Sequence, residues 1–229
     1  MRATEESPMP LSTRYEDAHE DYLKTIYSFT EWQDAPITPS VLATRLGLAP
    51  STVTEMVKKL AAAGLADHVR YGAISLTETG RLRALAVIRR HRLIETWLVN
   101  EMGYTWDEVH DEAEVLEHSI SDRLLDAIAE RLGNPTIDPH GDLIPTADGE
   151  VIRPNATTLA HCAPGSEVTV VRIRDRDPEM LRQLAEHGIG PGSTITLVTL
   201  SPTPVLRVGT TNIVLSIGAD EMIWVSTGH

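Results

Sequence analysis

Apolar positions recur at helical spacing through the first 130 residues and at strand spacing through the last 70. Over about 15–32, Tyr22, Leu23, Ile26, Tyr27 and Phe29 make one apolar face, predicting an amphipathic helix. The polar, proline-containing stretch before it reads as a tail. Residues 37–65, ITPSVLATRLGLAPSTVTEMVKKLAAAGL, hold two short helical patterns around Gly47. Thr38 can cap the first, with Pro39 at its first turn, and Pro50 opens the second. Two short helices about a glycine turn are a helix-turn-helix candidate. The stretch ADHVRYGAISLTETG then alternates Val69, Ile74 and Leu76 around Tyr71-Gly72, which predicts a β-hairpin wing.

Three further helical patterns follow, over about 79–100, 106–119 and 121–132. Gly103 separates the first two, and Thr105-x-x-Glu108 offers a capping box to the second. The third carries Leu124, Leu125, Ile128 and Leu132, and Gly133-Asn134-Pro135 ends it. After a turn-rich connector, EVTVVRI, STITLVTL, VLRVG, NIVLSIG and MIWVS are short β-rich runs broken by Gly and Pro. One helix, about 178–186, interrupts them. This reads as a small β-barrel. The class is mainly α with β. The expected domains are a winged helix-turn-helix over 1–80, a helical layer over 81–157 and an SH3-like β-barrel over 158–229.

Composition narrows the chemistry. A single cysteine, Cys162, excludes an intrachain disulfide and fits a reducing cytoplasm. No apolar run approaches the ~20 residues needed to span a bilayer, so no membrane role is expected. The N-terminus lacks the apolar core of a signal peptide. The formal net charge of −13 argues against a general nucleic-acid coat. It leaves room for a DNA binder whose acidic groups lie away from DNA or hold a cation. On the outer face of the second short helix, Ser51, Thr52, Thr54, Glu55, Lys58 and Lys59 suit contacts to phosphates and base edges, with Arg70 near the wing tip.

The unusual chemistry lies between residues 91 and 118. His91 and Glu95 sit four apart, and His110, Glu114, Glu117 and His118 recur on one face of the next helix. Imidazole and carboxylate at this spacing can chelate one ion from a rigid helix. A single His or Glu on a helix is ordinarily a packed or solvated residue; six on two adjacent helices point to metal.

Together, the winged helix, the HRLIE and VHDEAEVLEH helices, the GNPTIDPHG connector and the GIGPGS segment resemble the diphtheria toxin repressor family over nearly the whole chain. These are bacterial metal-dependent transcriptional repressors. The resemblance implies a homodimer on a palindromic double-stranded DNA operator, and no enzymatic activity. It implies a primary metal site of Asp21, Glu114, Glu117 and His118, with Glu20 beside it. It implies an ancillary site of His91, Glu95 and His110, completed from RDRDPEMLRQL by Asp177 and either Glu179 or Met180. Iron-responsive members carry Met and Cys where Asp21 and Glu114 stand here. Carboxylates harden the site and suit Mn2+. Short manganese regulators have Glu where Lys24 stands, and a lysine cannot bind an adjacent second ion; two separated sites are therefore expected. The expected cofactor is Mn2+, with Fe2+ the alternative and Co2+ or Zn2+ as substitutes in vitro. A metallohydrolase and a metal-independent winged-helix regulator are the rival readings.

Overall fold

The computed structural model describes residues 11–32, 35–68, 72–175 and 177–227. The expected tail over about 1–13 falls largely outside them, as do Arg70 and the wing tip at 69–71. The chain divides into two compact units, Met1–Ile88 and Arg89–His229.

The first unit holds α1 (Leu11–Glu31), α2 (Pro39–Leu46), α3 (Pro50–Ala62), β1 (Ala66–His68) and β2 (Ile74–Leu76). Helix α1 starts several residues before the predicted position. Its buried residues Tyr22, Leu23, Ile26 and Tyr27 form the expected apolar face. Thr38 caps α2 by accepting the Val41 N–H at 3.3 Å. Gly47 ends it at φ 65°, a left-handed turn that favours glycine. Helix α3 buries Val53, Val57 and Leu60, leaving Ser51, Thr52, Glu55 and Lys58 exposed. Strands β1 and β2 pair antiparallel, Ala66 opposite Leu76 and His68 opposite Ile74, as a wing requires. Ile37 bridges to Ile74 and ties the wing to the entry of α2.

The boundary between the units falls inside α4 (Glu78–Trp97). Its second half, with α5 (Val109–Leu116), α6 (Asp122–Arg131) and the β-rich module, forms the second unit. Helix α4 ends in a π-helical turn, Leu98–Met102, closed by Gly103 at φ 78°. Half of the expected capping box forms: the Thr105 N–H donates to Glu108 Oε1 at 3.1 Å. Ile94 and Leu98 pack with Val109 and Ala113, which presses α5 against α4.

The β-rich module has six strands: β3 (Thr157–Thr158), β4 (Glu167–Ile173), β5 (Thr194–Thr199), β6 (Val205–Val208), β7 (Thr211–Val214) and β8 (Ile223–Thr227), with α7 (Pro178–Glu186) between β4 and β5. Their order is β3-β8-β4-β5-β6-β7, antiparallel at every pairing. Bulges between Val170 and Arg172 and between Leu197 and Thr199 bend the sheet. The expected barrel is an SH3-like sheet with β3 and β7 as its two edges, not a closed ring.

Within the second unit the β module is fastened to the helices. Trp106, before α5, packs on the module's core. Gly190 lies so close that an added Cβ would meet the Trp106 ring at 2.6 Å. The connector at 136–146 lies against β4: the Ile173 N–H donates to the His140 carbonyl at 2.8 Å. A Cβ on Gly141, at φ +90°, would stand 2.1 Å from the Val171 carbonyl oxygen. Gly141→Ala therefore combines left-handed strain with a backbone clash. We expect it to lower unfolding stability by more than ~1 kcal/mol in urea. Gly165→Ala, also at positive φ but in open space, should cost less.

Candidate metal centre

Six consecutive residues of α4, His91 to Thr96, are buried, so this stretch is enclosed on all sides. Polar groups there must find partners inside the protein, because burying an unpaired charge costs several kcal/mol. His91, Glu95 and Arg92 are 6%, 1% and 6% exposed. Beyond one another, their partners come from α5 with its C-cap and from the connector.

The α5 side comes first. His91 Nδ1 lies 2.6 Å from Glu117 Oε2, and its Nε2 lies 3.0 Å from Glu95 Oε1 and 3.2 Å from His110 Nδ1. His110 Nδ1 is also 3.3 Å from Glu95 Oε1, while its Nε2 faces Glu114 Oε1 at 3.6 Å. Glu117, fully buried, sits at the C-cap of α5 and places Oε1 3.3 Å from His118 Nε2. The six residues predicted from helical spacing thus converge in the second unit. Asp21 and Glu20 lie on α1 of the first unit, both part-buried.

Sequence reasoning missed three further groups. Asp175, between β4 and α7, brings Oδ2 within 3.3 Å of His110 Nδ1. Asp177 instead caps α7, accepting the Met180 N–H at 3.0 Å. Glu179 is exposed, and Met180 is part of the module's core. An Asp before Pro178 at a helix start is a capping signal, and it could have shifted attention to Asp175. The other two are Asp138 and His140, on the connector. Asp138 Oδ1 accepts the His140 and Asp142 N–H groups, both at 2.9 Å, which folds the loop into a tight turn.

Electrostatics favour a cation here. Burial alone would raise the Glu95 pKa, but the His91 charge and hydrogen bonds from His110 and His91 hold it well below the usual carboxylate range. Burial and the charges of Asp142 and Glu95 push the Asp138 carboxyl well up, against the pull of Arg92. Arg92 and Arg172 both pair with Asp142, at 3.3 and 2.6 Å, leaving Asp138 the poorly compensated acid.

His140 supplies the strongest sign of a ligand. Its Nε2 lies 3.1 Å from the Trp106 carbonyl, so that nitrogen carries the proton. Its Nδ1 then holds a lone pair, fully buried and without a hydrogen-bond partner. Donor atoms of Glu95, Asp138 and His140 lie within 4.8 Å of one another, as do those of Glu95, His110 and Asp175 and of His91, His110 and Glu114. Every donor is a carboxylate oxygen or an imidazole nitrogen. The residues fit a hard to borderline divalent ion.

Three family models match the chain in succession. The iron-dependent repressor N-terminal DNA-binding domain covers residues 15–74, its metal-binding and dimerisation domain 77–146, and the FeoA domain 157–227. The iron-dependent repressor IdeR of Mycobacterium tuberculosis is 33% identical over 195 residues, 80% of this chain and 84% of that protein. The chain belongs to the iron-dependent (diphtheria toxin) repressor family. The diphtheria toxin repressor of Corynebacterium diphtheriae is 30% identical over 192 residues, with 80% and 84% covered. Among solved structures, a manganese-dependent transcriptional repressor in complex with manganese superposes with a TM-score of 0.85 at 46% identity, covering 91% of this chain and 99% of that one. The repressor ScaR with bound Cd2+ gives 0.77 at 33%, covering 91% and 99%. Family membership accounts for a winged helix, a helical layer and a FeoA module on one chain. Its DNA-binding and dimerisation domains make the chain a DNA-binding, dimer-forming repressor rather than a lone metal-storage module.

One prediction concerns pH. Burial pulls the His110 pKa down, but the Glu95 hydrogen bond and the Asp175 charge raise it above the ordinary histidine value. A raised pKa stabilises the metal-free fold below the unfolded value, and that contribution fades as pH rises through the folded one. An ion at His110 must displace that proton, so affinity should climb as pH rises through the raised His110 pKa. Calorimetry in buffers of different ionisation enthalpy should register proton release on Mn2+ binding, and His110→Ala should reduce it.

Proposed function

We propose that the protein is a Mn2+-activated transcriptional repressor of metal-uptake genes, acting in the cytoplasm as a homodimer on a palindromic operator. The observation that carries the metal assignment is a buried carboxylate–imidazole cluster without sulfur. Cys162, the one cysteine, is buried in the core of the β module and takes no part. Oxygen donors suit Mn2+, which the Irving–Williams order makes the weakest-binding of the first-row divalent ions from Mn2+ to Zn2+. The resemblance to a solved manganese-dependent repressor supports the same reading. Fe2+ is the second reading, favoured by the IdeR relatives.

In this reading Glu114, Glu117 and His118 hold one ion, joined by Asp21 from α1, an assignment that rests on the family resemblance. A second ion is held around Glu95 by His91, His110 and Asp175, with donor atoms of Asp138 and His140 also within 4.8 Å of Glu95. The metal supplies positive charge that offsets clustered carboxylates and favours the DNA-competent arrangement. The shift is bounded by the ion's differential affinity for the two states. Ser51, Thr52, Thr54, Glu55, Lys58 and Arg70 are the proposed DNA contacts. Three of these side chains are already engaged: the Thr54 hydroxyl donates to the Pro50 carbonyl at 2.8 Å, and Lys58 pairs with Glu55 at 2.7 Å. Lys58 must exchange that exposed pair for a phosphate, which costs little at a surface.

The dimer face we propose is the apolar groove lined by Ile94, Trp97, Leu98, Met102, Tyr104, Leu116, Ile120 and Leu124. Met102 and Leu124 are 51% and 50% exposed, although α6 buries Leu125 and Ile128 on its other side. A two-fold DNA site needs a two-fold protein, and large exposed apolar side chains mark such contacts. Leu124→Glu should shift sedimentation from dimer to monomer and abolish operator binding, while leaving Mn2+ binding to the monomer intact.

The central test is DNA binding by chelator-stripped protein on its own promoter, titrated with Mn2+, anaerobic Fe2+, Co2+ and Zn2+. Binding that needs Mn2+, and is lost in Asp21→Ala and Glu117→Ala, is the expected result. Binding at equal or lower free Fe2+ selects the iron reading. Equal binding without metal sinks the switch.

A further inference from the structure

Arg92, Asp142 and Arg172 are buried charges that the metal reading does not use as ligands. Each stands next to residues that it does use. Arg92 follows His91, Asp142 comes two residues after His140, and Arg172 comes three before Asp175. The three meet on one atom: Asp142 Oδ1 accepts from Arg172 Nε at 2.6 Å and from Arg92 Nη2 at 3.3 Å. Arg92 also donates to the Leu143 carbonyl. Helix α4, the connector and the segment after β4 all carry candidate ligands, and this triad joins them.

The sheet explains how Arg172 reaches Asp142. Strand residues alternate between faces, so residue 172 would share the core face with Val168 and Val170. The bulge between Val170 and Arg172 shifts that parity. Ile173 takes the next core position, and Arg172 turns to the opposite face, toward the connector. Beside it, the Ile173 N–H donates to the His140 carbonyl at 2.8 Å. The end of β4 is thus held by one side chain and one backbone bond. Asp175 follows, with Oδ2 3.3 Å from His110 Nδ1.

We propose that Arg172 is a positioning residue for metal: through Asp142 it fastens the end of β4 to α4, and so sets Asp175 at the ion beside Glu95. The inference rests on the metal-binding reading above and says what lets the β module supply a ligand. The triad is built from the protein's own charges, so the position is set before an ion arrives and the ion is spared that ordering cost. Partners that orient a ligand are worth about 10–100-fold in metal affinity. The sign separates position from charge. Losing a guanidinium near carboxylates by itself favours a cation, whereas losing the anchor disfavours it.

Two replacements remove the same charge and differ in the hydrogen bond. Arg172→Met fills the space without a donor, and Arg172→Gln places an amide N–H near the Nε position. Stepwise Mn2+ affinities of stripped full-length protein would be read by electron paramagnetic resonance of the free ion, with circular dichroism as the check on folding. The step weakened in Asp175→Ala marks the ion that uses the β module. In Arg172→Met that step should weaken by about tenfold while the other holds, and Arg172→Gln should recover most of the loss. Arg172→Met combined with Asp175→Ala should bind no more weakly than Asp175→Ala, because the one acts through the other. Additive losses, equal loss at both steps, equal loss in the two variants, or tighter binding in Arg172→Met overturn the role. A second measurement needs no substitution, and it decides the matter if Arg172→Met does not fold. Hydrogen exchange should find the Ile173 amide already protected in stripped wild type. Exchange there at the rate of an exposed amide until Mn2+ is added overturns the inference. A wild type that binds two Mn2+ ions and fails these tests keeps the proposed function and loses only the positioning role. A wild type that binds no metal removes both.

Discussion

The constraint on which the second unit depends is the burial of charge along one face of α4. His91, Arg92 and Glu95 sit where a helix enclosed on all sides would ordinarily carry leucine. Each is tolerable only because another segment has been drawn in to meet it. The C-terminal end of α5 brings Glu117 and His118. The connector brings Asp138, His140 and Asp142. The β module brings Arg172 and, against His110, Asp175. Replacing one partner leaves its opposite number buried and unpaired, which costs more than the pair contributes when whole.

The same constraint explains why the β module is attached as it is. Asp142 accepts from an arginine on α4 and an arginine on β4, so the helical layer and the sheet share one buried counter-ion. The Arg172 guanidinium is further stacked 4.5 Å from the centre of the Trp224 ring. Close backbone approach at Gly141 and the Trp106 plug against Gly190 add fit without charge. A module held by a shared ion pair, a ring in its core and a backbone seam is no tethered spacer. That fixity lets Asp175 stand at a defined distance from His110. A ligand on a swinging domain would forfeit its effective concentration in ordering entropy.

Most of this architecture is legible in the residues because local signals and global fold agree. Thr38-Pro39, Gly47 and Pro50 mark the helix-turn-helix, and the structure uses each as a cap or turn. The i, i+4 and i+7 spacing of imidazoles and carboxylates marks the face of α5 and its C-cap that meets His91 and Glu95. What was not legible depends on contacts distant in sequence. Asp138 and His140 read as turn residues in a connector, and nothing local says that the turn folds onto Glu95. Asp175 and Asp177 differ by two positions in a loop, and only the capping demand of α7 separates them.

Metal choice in such a site follows from charge and donor type more than from affinity. Thiolate or thioether donors would gain most with later, softer ions, which bind tightly wherever they are allowed. Removing sulfur lowers affinity for every competitor, and for Mn2+ least. The carboxylates left behind repel one another in a buried setting. Burial, with the charges of Asp142 and Glu95, raises the Asp138 pKa. In the proposed manganese reading, the residues that would confer selectivity also crowd negative charge in the metal-free state, and a bound cation would offset it. Ligand hardness and switch amplitude have one origin: acids crowded into a place from which water is excluded.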